Sequence, residues 1–151
     1  MKRLRIAGHP VHPILTIFPA SLLTTSLVFG ALALVTRSGE HLATAHWCAG
    51  AVLVSGSGVW LLGLIDWLAI PGRAPSKQPG LRHAIASSLA LALVAVSWLL
   101  GRGGAVTPGV TLLIDALAAV ALFSAFQLGQ RVSAPREPVQ APGAPFSSDS
   151  R

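Results

Sequence analysis

The stretch occupying residues 14–35, ILTIFPASLLTTSLVFGALALV, decides the fold class. No Lys, Arg, Asp or Glu occurs anywhere from position 6 to position 36. As a helix, residues 14–35 measure about 33 Å at 1.5 Å per residue, enough to cross the ~30 Å hydrocarbon core of a bilayer. Every backbone polar group in hydrocarbon has to be paired within its own segment, so the run reads as a helix despite its Thr, Val and Ile content. Three more runs follow. Residues 42–70 are apolar but for a few small polar residues, His46 and Asp66, and are ended by Pro71 and Gly72. Residues 83–100 are closed by Gly101, Arg102, Gly103 and Gly104, and residues 106–128 carry Asp115. Strand-length alternation is absent, which argues against a barrel.

Composition agrees. The chain is 52% hydrophobic and 11% charged, against about 25% charged in soluble domains, so there are too few charges to coat a water-facing surface. The sequence therefore predicts an all-α integral membrane four-helix bundle over residues 1–132, with short connections and a C-terminal tail. That tail, 133–151, places Pro135, Pro138, Pro142 and Pro145 too close together for a helix and reads as a disordered cytoplasmic segment. The net charge of +6 would point to nucleic acid in a soluble protein, but here the basic residues flank apolar runs and face anionic lipid headgroups. Cys48 is the single cysteine and reads as a small buried apolar residue.

The basic residues also set an orientation. Lys2, Arg3 and Arg5, then Arg73, Lys77 and Arg82, then Arg131, Arg136 and Arg151 make nine on one side of a four-span chain, against Arg37 and Arg102 on the other. The positive-inside bias places the nine, and both termini, in the cytoplasm. The first run is longer than the 7 to 15 residues of a signal-peptide core and contains Pro19, so it reads as a retained span although Ala31-Leu32-Ala33 resembles a cleavage site.

The residues able to carry chemistry gather at the cytoplasmic level. Gly8-His9-Pro10-Val11-His12-Pro13 precedes the first span. Pro13 suits the first turn of a helix and biases His12 toward an extended or capping conformation. Asp66 lies near the inner end of the second span, in line with Gly63, Val59, Gly56, Ser55, Val52 and Cys48. Such small-residue faces pack against neighbouring helices, so Asp66 is expected to point into the bundle. The third span opens at Arg82 and His83 and continues the stripe through Ala86, Ser87, Ala90, Val94 and Ser97. His9, His12, Asp66 and His83 are thus delivered to one membrane depth by three segments. The structural reading has Asp66 accepting hydrogen bonds from Arg82, His83 or His12. The functional reading is a metal site of His9, His12, Asp66 and His83, or haem b or a transition metal held by His12 and His83.

At the outer level, His41 and His46 flank the start of the second span, with Trp47 as an interfacial anchor. His46 falls about 200° around the helix from Asp66 and does not act with it. Asp115, with Thr111, Ala118 and Ala119 on its face, reads as a buried acid bonded to Ser or Thr of a neighbour. A proton or ion pathway through Asp115 and Asp66 is disfavoured by the absence of an inverted repeat. No phosphate loop, dinucleotide fingerprint, cysteine pair or nucleophile–histidine–acid spacing occurs, so catalysis has little to stand on.

The His-Pro-x-His-Pro segment, followed by Phe18-Pro19, Gly63-Leu64-Ile65-Asp66-Trp67 and His83, resembles the DUF2231 family over about residues 6 to 130. That resemblance implies a small bundle of about four transmembrane helices in a bacterial plasma membrane, without an assigned activity. Family members fused to Rieske-type or cytochrome-like modules suggest a place near electron transfer. This chain departs from the pattern at Ile17, commonly His, and at Ser87, often Asn. Together the readings favour a non-catalytic subunit or anchor near a redox or respiratory partner, bound to the lipid bilayer and not to nucleic acid. A haem- or metal-binding electron-transfer protein is the alternative.

Overall fold

In a computed structural model the backbone is described for residues 5–6, 9–104 and 106–133, and side chains for residues 15–104 and 106–130. The tail expectation for 134–151 and the side chains of His9 and His12 lie outside the described residues. A two-residue antiparallel pair, β1 (Arg5–Ile6) with β2 (His9–Pro10), leads into four helices: α1 (Val11–Thr36), α2 (Gly39–Leu68), α3 (Lys77–Arg102) and α4 (Pro108–Ser133). All four are long and apolar enough to cross a membrane. The protein is an all-α integral membrane bundle.

The helices form a closed ring in chain order. α1 packs on α2, α2 on α3, α3 on α4, and α4 returns to α1, with the sequence-adjacent pairs α1–α2 and α3–α4 the most extensive and α4–α1 the least. One end of the bundle carries the α1–α2 and α3–α4 connections, and the other carries the α2–α3 connection and the helix termini. We refer to these as the connection end and the terminal end.

Buried positions recur at helical spacing. α1 buries Pro19, Leu23, Ser26, Gly30 and Ala33; α2 buries Ala45, Ala49, Val52 and Gly56; α3 buries Ala90, Val94 and Ser97; α4 buries Asp115, Ala118 and Ala125. This 3–4 spacing is one helix face, and its residues are mostly small. Lipid tails are as apolar as Leu, so close approach and dispersion drive helix association in a bilayer, and small side chains permit it. Gly56 shows how close: a Cβ there would stand 2.9 Å from Leu91 Cδ2 and 3.8 Å from Pro19 Cβ. Large apolar side chains such as Val35, Val54, Ile65, Val120 and Phe123 are exposed and form the lipid-facing surface.

Helix starts differ from the sequence reading in two places. His12 lies inside the first turn of α1 rather than in an extended segment ahead of it; Pro13 is then the third helical residue, where its missing N–H is tolerated. α3 begins at Lys77, six residues before the apolar run. Its extra turn is charged, and it is held by the end of α2. Lys77 Nζ donates to the carbonyl oxygens of Trp67 at 2.8 Å and Ile70 at 3.1 Å, while Trp67 Nε1 donates to the Lys77 carbonyl at 3.1 Å. The ammonium also sits 3.9 Å from the centre of the Trp67 ring. A cation here adds a donor to carbonyls at and just past the C-terminal end of α2, where the helix dipole favours positive charge.

At the connection end, Ser38 caps α2, its Oγ accepting from His41 N at 3.5 Å. The turn before it places Arg37 at φ 54°, the left-handed region. A non-glycine residue adopts that conformation at a cost of roughly 1–2 kcal/mol.

Candidate functional site

At the terminal end the structure separates two of the expected partners. Asp66 is exposed, near the last turn of α2, so the expectation that it points into the bundle is corrected. The buried stripe of α2 ends at Gly56. Beyond it Val59 and Gly63 are only half-buried, and Asp66 is exposed although Trp67 beside it is held against α3. Among the described residues no hydrogen bond or ion pair joins Asp66 to Arg82 or His83, and no group of three metal-ligating side chains is assembled.

His83 instead faces α4. Its Nδ1 donates to the Ala125 carbonyl oxygen at 2.7 Å, since a carbonyl can only accept. A Cβ on Gly129 would stand 3.3 Å from both His83 Cε1 and Nδ1, so Gly129 makes room for the ring. This bond places a hydrogen on Nδ1 and orients the ring. Higher in the bundle, Trp60 Nε1 donates to Ser88 Oγ at 2.9 Å and ties α2 to α3.

The denser polar constellation lies at the connection end, inside the ring. Asp115 on α4 is 6% exposed. Ser26 Oγ on α1 stands 3.1 Å from Asp115 Oδ2 and 3.0 Å from the Ala45 carbonyl oxygen on α2, so three helices meet at one hydroxyl. Ser97 Oγ, beside the same carboxyl, gives its proton to the Thr111 carbonyl oxygen at 3.2 Å. Asp115 Oδ1 is buried and has no hydrogen-bond partner among the described residues. The sequence reading of Asp115 as an acid bonded to a neighbouring hydroxyl therefore describes its Ser26 contact.

Around Thr111, one turn nearer the connection end than Asp115, an aromatic and basic stack closes the bundle. The His46 ring lies 5.5 Å from that of Trp98, within 7° of parallel. Arg102 places its guanidinium carbon 4.6 Å from the centre of the Trp98 ring. A Cβ on Gly101 would meet His46 Nδ1 at 3.3 Å and Thr111 Cγ2 at 3.7 Å, so His46 and Thr111 flank the same glycine. Trp98 Nε1 is buried against α2, 2.9 Å from where a Cβ of Gly50 would be, and has no partner among the described residues. His46 and Asp115 are within reach of each other's charge.

Sequence reasoning compared His46 only with Asp66, on its own helix. Depth was the signal that could have joined it to Asp115. Each stands seven residues beyond the first residue of its helix, Gly39 for α2 and Pro108 for α4, and both helices start from the same end. At 1.5 Å per residue both lie about 10 Å in.

A four-span, up-and-down bundle with a small-residue core, a lipid-facing apolar surface and buried polar ties defines a multi-pass integral membrane protein. The chain matches the family model described as "Predicted membrane protein (DUF2231)" over residues 8–137, and it belongs to that family. No curated protein and no solved structure matches it.

Proposed function

We propose that this chain is a non-catalytic membrane module, a subunit or anchor of a respiratory or redox assembly in the plasma membrane, with both termini in the cytoplasm. The reading rests on how the polar side chains inside the spans are used. Ser26 with Asp115, Ser97 with the Thr111 carbonyl, Trp60 with Ser88 and His83 with the Ala125 carbonyl are ties within the bundle, and each of the four joins two different helices. Polar groups in hydrocarbon are costly and are kept where they hold helices together or serve chemistry. The nine basic residues of the N-terminal stretch, the α2–α3 connection region and the C-terminal stretch supply the orientation by the positive-inside bias.

The test is purification of the full-length protein from its native membrane under mild detergent, followed by native electrophoresis. Co-migration with a haem-staining or iron–sulfur-containing complex is expected, with neither haem nor stoichiometric metal on the chain once separated. Migration as a lone species from native membranes removes the subunit reading.

A second reading is favoured by the Nδ1 bond of His83. Histidines that ligate metals usually donate the other ring N–H to a carbonyl or carboxylate, which orients the ring and raises its basicity. In this reading His12 and His83 are the ligands of haem or a transition metal, with His9 and Asp66 completing a metal shell. Haem or stoichiometric metal on the separated chain, lost in His12→Ala and in His83→Ala, would establish it in place of the first.

A further inference from the structure

The connection-end constellation carries an inference independent of any partner or cofactor. Ser26 Oγ has two close oxygen neighbours, the Ala45 carbonyl at 3.0 Å and Asp115 Oδ2 at 3.1 Å. A hydroxyl has one proton to give. If it goes to Ala45, whose carbonyl can only accept, the contact with Oδ2 is a hydrogen bond only when the carboxyl brings a proton of its own. If it goes to an ionised Asp115 instead, a charge 6% exposed has only the hydroxyls of Ser26 and Ser97 beside it, each with a carbonyl of its own to donate to, Ala45 and Thr111, and its Oδ1 has no partner among the described residues. An anion so sparsely solvated within a membrane span is far costlier than a neutral acid in the same place.

We propose that Asp115 is a proton-binding site, holding a proton on Oδ2 that it donates to Ser26 Oγ, which in turn donates to the Ala45 carbonyl. The chain Asp115–Ser26–Ala45 joins α4, α1 and α2 through two directional bonds, and the proton is the ligand that completes it. It sits on the α4–α1 seam, the least extensive interface of the ring. The groups facing the carboxyl are Ser26 from α1, His46 from α2, Ser97 from α3 and Thr111 one turn along α4; Arg102 of α3 lies beyond, against Trp98. His46 is therefore the titratable neighbour, on the side from which the connection end would deliver or remove the proton.

Infrared spectroscopy of the full-length protein in phosphatidylcholine vesicles reads the state directly, because a protonated carboxyl and a carboxylate absorb at separate frequencies. At neutral pH a protonated-carboxyl band is expected in the wild type and absent in Asp115→Asn. Asn presents an amide N–H to Ser26 and preserves the bundle. Should that variant fail to fold, Ser26→Ala keeps the test open: the band persists but shifts, because the acid loses its acceptor. A wild-type spectrum with no protonated-carboxyl band overturns the proposal, as does a band that survives Asp115→Asn or ignores Ser26→Ala. A carboxylate band that changes when potassium replaces sodium also overturns it and assigns the site to a metal cation.

Discussion

Gly80 offers the sharpest test of how the α2–α3 corner is built. A Cβ at this position would stand 2.7 Å from Trp67 Cδ1 and 3.4 Å from its Nε1, where carbon–carbon contact is comfortable at about 3.5–4.0 Å. In Gly80→Ala the indole has to retreat by roughly 1 Å. It is not free to do so: Nε1 bonds the Lys77 carbonyl at 3.1 Å, and the Lys77 ammonium lies over the ring at 3.9 Å. Losing the hydrogen bond costs about 0.5–1.5 kcal/mol, and weakening the cation–ring contact about 0.5–1 kcal/mol. If the ring holds its place, overpacking costs about 1–3 kcal/mol instead. Alanine's better helix propensity returns up to about 1 kcal/mol. The net change then runs from about zero to a loss of about 2 kcal/mol, centred near 1 kcal/mol. Gly56→Ala is the control, because its closest contact at 2.9 Å is Leu91 Cδ2, the mobile end of a side chain that can turn aside; its expected change is about 1 kcal/mol or less. Unfolding in mixed detergent and dodecyl sulfate, followed by tryptophan fluorescence, measures both. Equal stability of the two variants would refute the locked-indole argument.

Ser26→Ala is expected to cost about 0.6–1.7 kcal/mol, the range measured for hydrogen bonds between membrane helices, and no change in the same unfolding assay would count against the three-helix tie. Arg37→Gly should stabilise the chain by about 1 kcal/mol, since glycine adopts the left-handed conformation freely; destabilisation would show that the Arg37 side chain has its own role. A reporter fused after Arg131 is expected to be cytoplasmic and one inserted between Arg37 and Glu40 external, and finding both on one side would remove the four-span topology. Trp60→Phe should cost about 0.5–1 kcal/mol through loss of the bond to Ser88, and Ser88→Ala should cost the same without adding to it; additive losses would mean the pair does not act as a unit.

Much of this architecture is legible in hydropathy, because in a bilayer the length of an apolar run alone dictates a helix. The stripe His83, Ser87, Ala90, Val94 and Ser97 likewise foretells the inner face of α3, whose Ala90, Val94 and Ser97 are buried. The same reasoning misleads at Asp66, because periodicity says which residues share a face but not which part of that face a neighbour covers. Val52 and Gly56 on that face are buried and Asp66 is exposed. The start of α3 was hidden for a different reason. Lys77 looks like a loop residue until its ammonium is seen against the α2 carbonyls. The His46–Trp98–Arg102 stack has no pattern within any one helix; only comparing depths across helices that start from the same end brings Asp115 and His46 together.

The ring order has a consequence for how the protein is made. Its two largest interfaces join helices that are neighbours in sequence, α1 with α2 and α3 with α4, so each pair can leave the insertion machinery as a finished hairpin before the other exists. The corner at Trp67 and Lys77 then hinges one hairpin against the other, and the last seam to close is α4 against α1, bringing Asp115 to Ser26. A chain cut within residues 71–75 and expressed as two halves should therefore reassemble in the membrane, with that seam reporting when the ring has shut.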